Sequence, residues 1–158
     1  MDSLCTWRGE VKPDWIDYNG HLNDGYYAVA FSLASEGFLE LAGVFKEYRE
    51  RTNCTVYTVE THISYMRELK AGAPIRVTSQ LVAYDAKRIH LYLEMFHDEE
   101  NYLAATYETL LVHVDQSVVR VVAMPEEVAK KLEAIALQQQ DLPKPKRLGR
   151  TILPIKAK

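Results

Sequence analysis

The chain reads as an α+β domain in which one long helix is wrapped by an antiparallel sheet of about five strands, with a second helix near its end. Three observations carry this expectation. Residues 23–42 are strongly apolar at helical spacing, the period then changes to two, and the turns between the alternating runs are too short for parallel crossovers.

In the first stretch Tyr27, Phe31, Ala34, Phe38 and Leu41 repeat at helical spacing, while Val29, Ala30, Leu33 and Leu39 extend the apolar surface around the helix. Such a helix belongs in a core. Asn23 or Asp24 suits its N-cap, and Gly43 suits the left-handed residue that ends it. Tyr57, Val59, Ile63 and Tyr65 then alternate with Thr58, Glu60, His62 and Ser64, the pattern of a half-buried strand. Alternating runs follow at Ile75–Ala83, Ile89–Met95 and Tyr102–Val114, with a short one at Ser117–Val122. Their links at 85–87, 98–101 and 115–116 are rich in turn-forming residues. Pro125, Glu126 and Glu127 open a second helix whose Val128, Leu132 and Ile135 share one side. One long helix covers a single face of such a sheet, so a homodimer or homotetramer that buries the remaining apolar surface is expected.

The length of 158 residues suits one domain, expected over residues 1–140, followed by a basic tail at 141–158. That tail carries Lys144, Lys146, Arg147, Arg150, Lys156 and Lys158 against Asp141, in a chain whose net charge is −3. With Pro143, Pro145 and Pro154 it reads as a solubilising end, or more sharply as a lid or clamp for a phosphorylated ligand. The body has no basic stripe, which argues against a nucleic-acid partner. No apolar run reaches the ~18 residues of a membrane span, and no signal-peptide pattern opens the chain. Cys5 and Cys54 stand alone rather than in a disulfide framework or zinc motif, so a reducing cytoplasm is the expected location.

Glycine-rich phosphate loops, a serine elbow and metal-spaced histidines are all missing from the sequence, and His62, His90, His97 and His113 read as ordinary strand residues. What remains is the dense polar and aromatic segment from Pro13 to Tyr27. A loop entering a helix N-terminus brings unpaired N–H groups to a place where negative charge can develop, as on the carbonyl oxygen of a thioester under attack. A carboxylate such as Asp17 could act there as general base or nucleophile. On spacing alone, turn and capping roles account for Asp17, Asn19 and Asn23 equally well.

The run Asp17-Tyr18-Asn19-Gly20-His21-Leu22-Asn23 resembles the D-x-N-x-H-x-N signature of hotdog thioesterases, including the 4-hydroxybenzoyl-CoA thioesterase group and the plant acyl-ACP thioesterases. The resemblance implies Asp17 as the catalytic carboxylate, Asn19 and His21 as its partners, and the N–H groups of Gly25 and Tyr26 as oxyanion donors. Tyr65-Met66-Arg67-Glu68-Leu69 resembles the plant Y-R-R-E-C stretch and points to Glu68, although Met66 and Leu69 depart from it. Four blocks, at 15–21, 57–63, 85–91 and 110–115, are similar to the betainyl-CoA thioesterases of bacterial carnitine breakdown. This likeness implies a small acyl-CoA substrate, with CoA entering as part of that substrate and no separate cofactor. Trp15, Tyr18, Tyr27, Tyr57 and Tyr65 could hold a trimethylammonium group on their aromatic faces, with Glu60 as counter-charge. Arg67, Lys70, Lys87 and Arg88 are the expected contacts for the CoA phosphates. Two rival readings are a hotdog enoyl-CoA hydratase, whose D-x-N-P-x-H pattern is not matched, and a non-catalytic acyl-CoA binding module.

Overall fold

Helix α1 (Asp24–Leu41) is the element around which the others pack, and its local sequence defines both ends. The Asn23 side chain accepts the Gly25 N–H as N-cap, and Gly43 at φ 88° follows the C-cap Ala42. The structure, a computed structural model, describes residues 3–152. Five strands form one antiparallel sheet in the order β1 (Leu4–Glu10), β3 (Pro74–Tyr84), β4 (Arg88–His97), β5 (Leu103–Asp115) and β2 (Cys54–Tyr65). A two-residue strand, β6 (Arg120–Val121), adds to β5. Helix α2 (Lys46–Thr52) links α1 to β2, and α3 (Glu126–Gln139) closes the chain against β3.

The core lies between α1 and the concave face of the sheet. Tyr27, Ala30, Phe31, Ala34 and Phe38 are buried there with Val77, Leu93, Met95 and Leu111. Phe31 stacks on Tyr107 of β5 with centroids 4.9 Å apart. A glycine within a helix is normally unfavourable, yet Gly37 has a packing reason, since a Cβ there would collide with the Thr6 carbonyl oxygen of β1. The helix and the edge strand meet backbone to backbone at that point.

Several elements depart from the sequence expectation. β1 has no clean alternation and carries a bulge between Cys5 and Trp7, and α2 offers one buried residue, Tyr48, in seven positions. Neither shows a period long enough to recognise. β2 begins earlier than expected, at Cys54, and it is an edge strand with Tyr57, Val59 and Tyr65 each 40–56% exposed. The helix α1 likewise leaves Val29, Leu33 and Leu41 at the surface. The run at Ser117–Val122 shrinks to β6, because the Asp115 carboxylate accepts the Ser117 N–H and shapes a turn there. Of the tail, Pro154, Lys156 and Lys158 lie outside the described residues. Among the described residues no single helix is long and apolar enough to cross a membrane.

Gln139, at the end of α3, docks that helix by a pair of buried hydrogen bonds. Its Oε1 accepts the Leu81 N–H at 2.7 Å and its Nε2 donates to the Ser79 carbonyl at 2.9 Å, supplying β3 with the contacts a neighbouring strand would make. Replacing it removes a partner from two buried backbone groups at once. Gln139→Leu is expected to lower stability by about 2 kcal/mol, seen as a lower urea midpoint with an unchanged m-value.

Candidate active site

The loop from Trp15 to Asn23 is built as a small closed hairpin. Ile16 and Leu22 form a β-bridge, the Asp17 N–H donates to the His21 carbonyl at 3.1 Å, and the Gly20 N–H returns to the Asp17 carbonyl at 3.0 Å. Gly20 takes φ +77°, the left-handed conformation this turn requires. The hairpin is tied to the body by Leu22 N–H to the Leu69 carbonyl at 2.8 Å and Asn23 N–H to the Trp15 carbonyl at 2.9 Å. Trp15 itself is buried and stacked on Tyr26, with centroids 5.4 Å apart, and so serves as the base of the loop.

The hairpin presents Asp17 to a cleft of about 490 Å³ at the N-terminal end of α1. Asp17, Tyr18, Asn19, His21, Tyr27, Tyr65, Arg67 and Glu68, all singled out from the sequence, line it together with Asp24 and Met66. Among the described residues the Asp17 carboxylate is oriented by Asn19: the Asn19 N–H donates to Oδ1 at 2.8 Å and its side-chain amide to Oδ2 at 3.4 Å. This leaves acceptor capacity on Asp17 facing outward. Across the cleft, His21 Nε2 lies 3.8 Å from Glu68 Oε2, and the other Glu68 oxygen meets Lys70 Nζ at 2.8 Å. The Lys70 ammonium, with smaller help from His21 and Arg67, holds the Glu68 carboxyl below its ordinary pKa.

The floor is aromatic. Tyr27 and Tyr65 meet edge to face at 5.2 Å, and the Tyr65 hydroxyl donates to the Asp24 carbonyl at 3.3 Å. Burial pushes the Tyr27 phenol up to about 12, so this ring stays neutral at any working pH. Tyr18 stands 97% exposed at the rim. Three carboxylates, Asp17, Asp24 and Glu68, face one arginine in this lining, and Arg67 stacks on Tyr102 at 3.8 Å with Glu100 beside it. The cleft is acidic.

At the helix end the hydrogen-bond arrangement differs from the sequence reading. The Gly25 N–H is occupied by the Asn23 side chain at 3.0 Å and lies equally close to Asp24 Oδ1, while the Tyr26 N–H donates to the Asn23 carbonyl at 3.0 Å. The Asp24 N–H, one residue earlier, has no intramolecular partner among the described residues, and Asp24 lines the cleft. The signal was present in the sequence: an Asn N-cap takes up the N–H two positions on.

Other sequence candidates lie elsewhere. Tyr57 is eight positions from Tyr65 along β2, roughly 26 Å at about 3.3 Å per residue, and its hydroxyl accepts from Gln116. Glu60 lines a separate hollow on the opposite face of the sheet from α1. Lys87 sits in the β3–β4 turn and Arg88 opens β4, where Arg88 clamps the Asp85 carboxylate at 2.6 Å and, with the Lys87 N–H, holds it down to about 2. In register, Arg88 and Tyr57 both face Val112, at the end of the sheet away from the cleft.

The sequence profile of the thioesterase-like superfamily matches residues 11–132. The chain is 33% identical to the betainyl-CoA thioesterase of Pseudomonas aeruginosa over 149 residues, 94% of each protein. Among solved structures, a hypothetical protein of Staphylococcus aureus in complex with CoA superposes with a TM-score of 0.90 at 29% identity, covering 98% of both chains. A candidate thioesterase of Pseudomonas putida superposes with a TM-score of 0.84 at 31% identity, over 98% of this chain and 99% of that one.

Proposed function

This chain belongs to the thioesterase-like superfamily with its hotdog fold, and from that premise we propose that it is an acyl-CoA thioesterase that hydrolyses betainyl-CoA to betaine and CoA with Asp17 as its catalytic carboxylate. The observation that carries the reading is the Asp17 carboxylate, held by Asn19 at the tip of a closed hairpin beside the N-terminus of the central helix.

In the reaction, water or Asp17 itself adds to the thioester carbonyl. As general base, Asp17 takes a proton from the attacking water; as nucleophile, it forms a mixed anhydride that water then opens. In either route the carbonyl oxygen becomes an oxyanion, the Asp24 N–H and the positive end of the α1 dipole stabilise it, and collapse expels the CoA thiolate. His21, steered by Glu68, sits on the same rim and is positioned to orient the attacking group or to return a proton to the leaving sulfur. Asp17→Asn keeps the volume and removes the charge, so kcat is expected to fall by at least about a thousandfold with KM little changed. A variant that keeps most of its turnover, measured by free-thiol release, excludes the carboxylate mechanism.

The betaine group is supported by the 33% identical relative and by the chemistry of the cleft, where carboxylates and the faces of Tyr18 and Tyr65 suit a trimethylammonium group and would not favour a neutral chain. One desolvated cation–π contact contributes up to about 2 kcal/mol, or roughly a thirtyfold preference. Betainyl-CoA should therefore exceed its neutral isostere, 3,3-dimethylbutanoyl-CoA, by that factor in kcat/KM. Tyr18→Leu, at a fully exposed position, should narrow the gap; equal kcat/KM on the two substrates would remove the cation-selective reading while leaving thioesterase activity intact.

A homodimer formed through β2 fits this reading. The strand is twelve residues long, has one free edge, and carries Glu60 as its only acidic or basic residue apart from His62. Natural edges of that length are protected by charge, proline or a partner. Antiparallel pairing of β2 with its copy would cover Tyr57 and Val59. It would also bring the first half of the second strand towards Tyr65 and the cleft. Light scattering should give a dimer, or a multiple of it, across a wide concentration range; a fully active monomer would sink this arrangement.

A further inference from the structure

The cations expected to meet CoA phosphates are mostly engaged with carboxylates: Arg67 with Glu100, Lys70 with Glu68 and Arg88 with Asp85. The strap that follows α3 is different. Residues 142–150 run across the outer face of the sheet, held by Gln80 Nε2 donating to the Pro143 carbonyl at 3.4 Å and by the Gly149 N–H donating to Glu108 Oε2 at 2.7 Å. Lys144, Lys146, Arg147 and Arg150 face a cavity of about 610 Å³ between this strap and β4. Among the described residues none of the four lies within 4.0 Å of a carboxylate oxygen.

One polar atom of the same cavity, Arg147 Nε, is buried without a formed hydrogen bond, while the Tyr92 hydroxyl beside it lies against Thr106. Buried donors in native proteins are nearly always satisfied, and an unsatisfied guanidinium N–H beside three further cations calls for an anion. Glu94 is the one carboxylate in the lining, set against four cations; burial pushes its carboxyl up, and the charge of Lys146 acts in the other direction. The space is far larger than a phosphate ion needs and falls within the range of small-ligand sites. Phe96, Leu103 and Pro143 supply apolar walls of the kind a planar base packs against.

We propose that the strap and the outer face of β4 form a binding site for a phosphorylated nucleotide, with Lys146, Arg147 and Arg150 on the phosphates and the base against Phe96 and Pro143. Two sources share this chemistry. One is the nucleotide end of a CoA thioester, which rests on the function proposed above; the other is a free nucleotide acting apart from the cleft.

The test is calorimetric titration of the full chain with adenosine 3′,5′-bisphosphate, which has no thioester and therefore reads the strap independently of hydrolysis. Saturable binding is expected, about tenfold or more weaker in Lys146→Ala/Arg147→Ala, and unchanged in Lys130→Ala on α3. Asp17→Asn should bind the nucleotide as the wild type does even where it abolishes turnover, which separates this site from the reading of the cleft. Lys144→Ala/Arg150→Ala, at exposed positions, provides a second weakened variant should the first fail to fold. Competitive inhibition of acyl-CoA hydrolysis by the nucleotide identifies the CoA source, and binding that leaves KM unchanged identifies a free nucleotide. Absence of saturable binding, or equal affinity in the wild type and a folded strap variant, overturns the proposal.

Discussion

Burial of α1 against the concave sheet is the constraint on which the rest of the molecule depends. Each large apolar side chain taken out of water contributes roughly 1.5–3 kcal/mol, and Tyr27, Phe31 and Phe38 all point into that interface. Once the helix lies there, its first turn must emerge at one end of the sheet, and the preceding loop has little freedom. Leu22 is fastened to Leu69, Asn23 to Trp15, and Trp15 to the face of Tyr26. The turn that carries Asp17 is thus positioned by the core, and the hydrogen bonds of Asn19, Gly20 and His21 with Asp17 close it.

That arrangement also decides the electrical character of the cleft. A helix N-terminus attracts negative groups, and here Asp17, Asp24 and Glu68 line the cleft beside it, with Glu68 partly balanced by Lys70. Arg67 lies over Tyr102, and Lys70 is paired with one oxygen of Glu68. On the function proposed above, a cleft of this kind would take a positively charged acyl group and leave the phosphates to another surface. The opposite face of the sheet has the complementary character, since the strap after α3 brings four cations around a cavity lined by a single carboxylate, Glu94. If both proposals hold, the two faces would take the two ends of one molecule, cationic at its acyl end and polyanionic at its nucleotide end.

The readable parts of the sequence were those whose period matches their environment. β3, β4 and β5 alternate because one face meets α1 and the other faces out, and α1 shows its apolar spacing because it packs in the middle. β1 and α2 lack such a signal: β1 is a bulged edge strand, and α2 buries Tyr48 alone. The alternation in β2 was visible but misleading about burial, because Tyr57, Val59 and Tyr65 stay 40–56% exposed on this edge strand. Gly37 reads as a weak point in a helix until the carbonyl of Thr6 is seen against it.

By itself the sequence determined the fold class, the place of the long helix and the polar segment holding Asp17, Asn19 and His21, because periodicity and a local motif are properties of neighbouring residues. Tertiary structure decided which candidates meet. Tyr65, Arg67 and Glu68 join the Asp17 hairpin because β2 ends beside the helix N-terminus, while Tyr57, Lys87 and Arg88 are carried to the far end of the same sheet. It also decided which N–H at the helix start is free, since the Asn23 cap occupies that of Gly25 and leaves that of Asp24. Strand direction and hydrogen-bond competition act between residues distant in the chain or compete at a single atom, and a linear pattern does not encode either one.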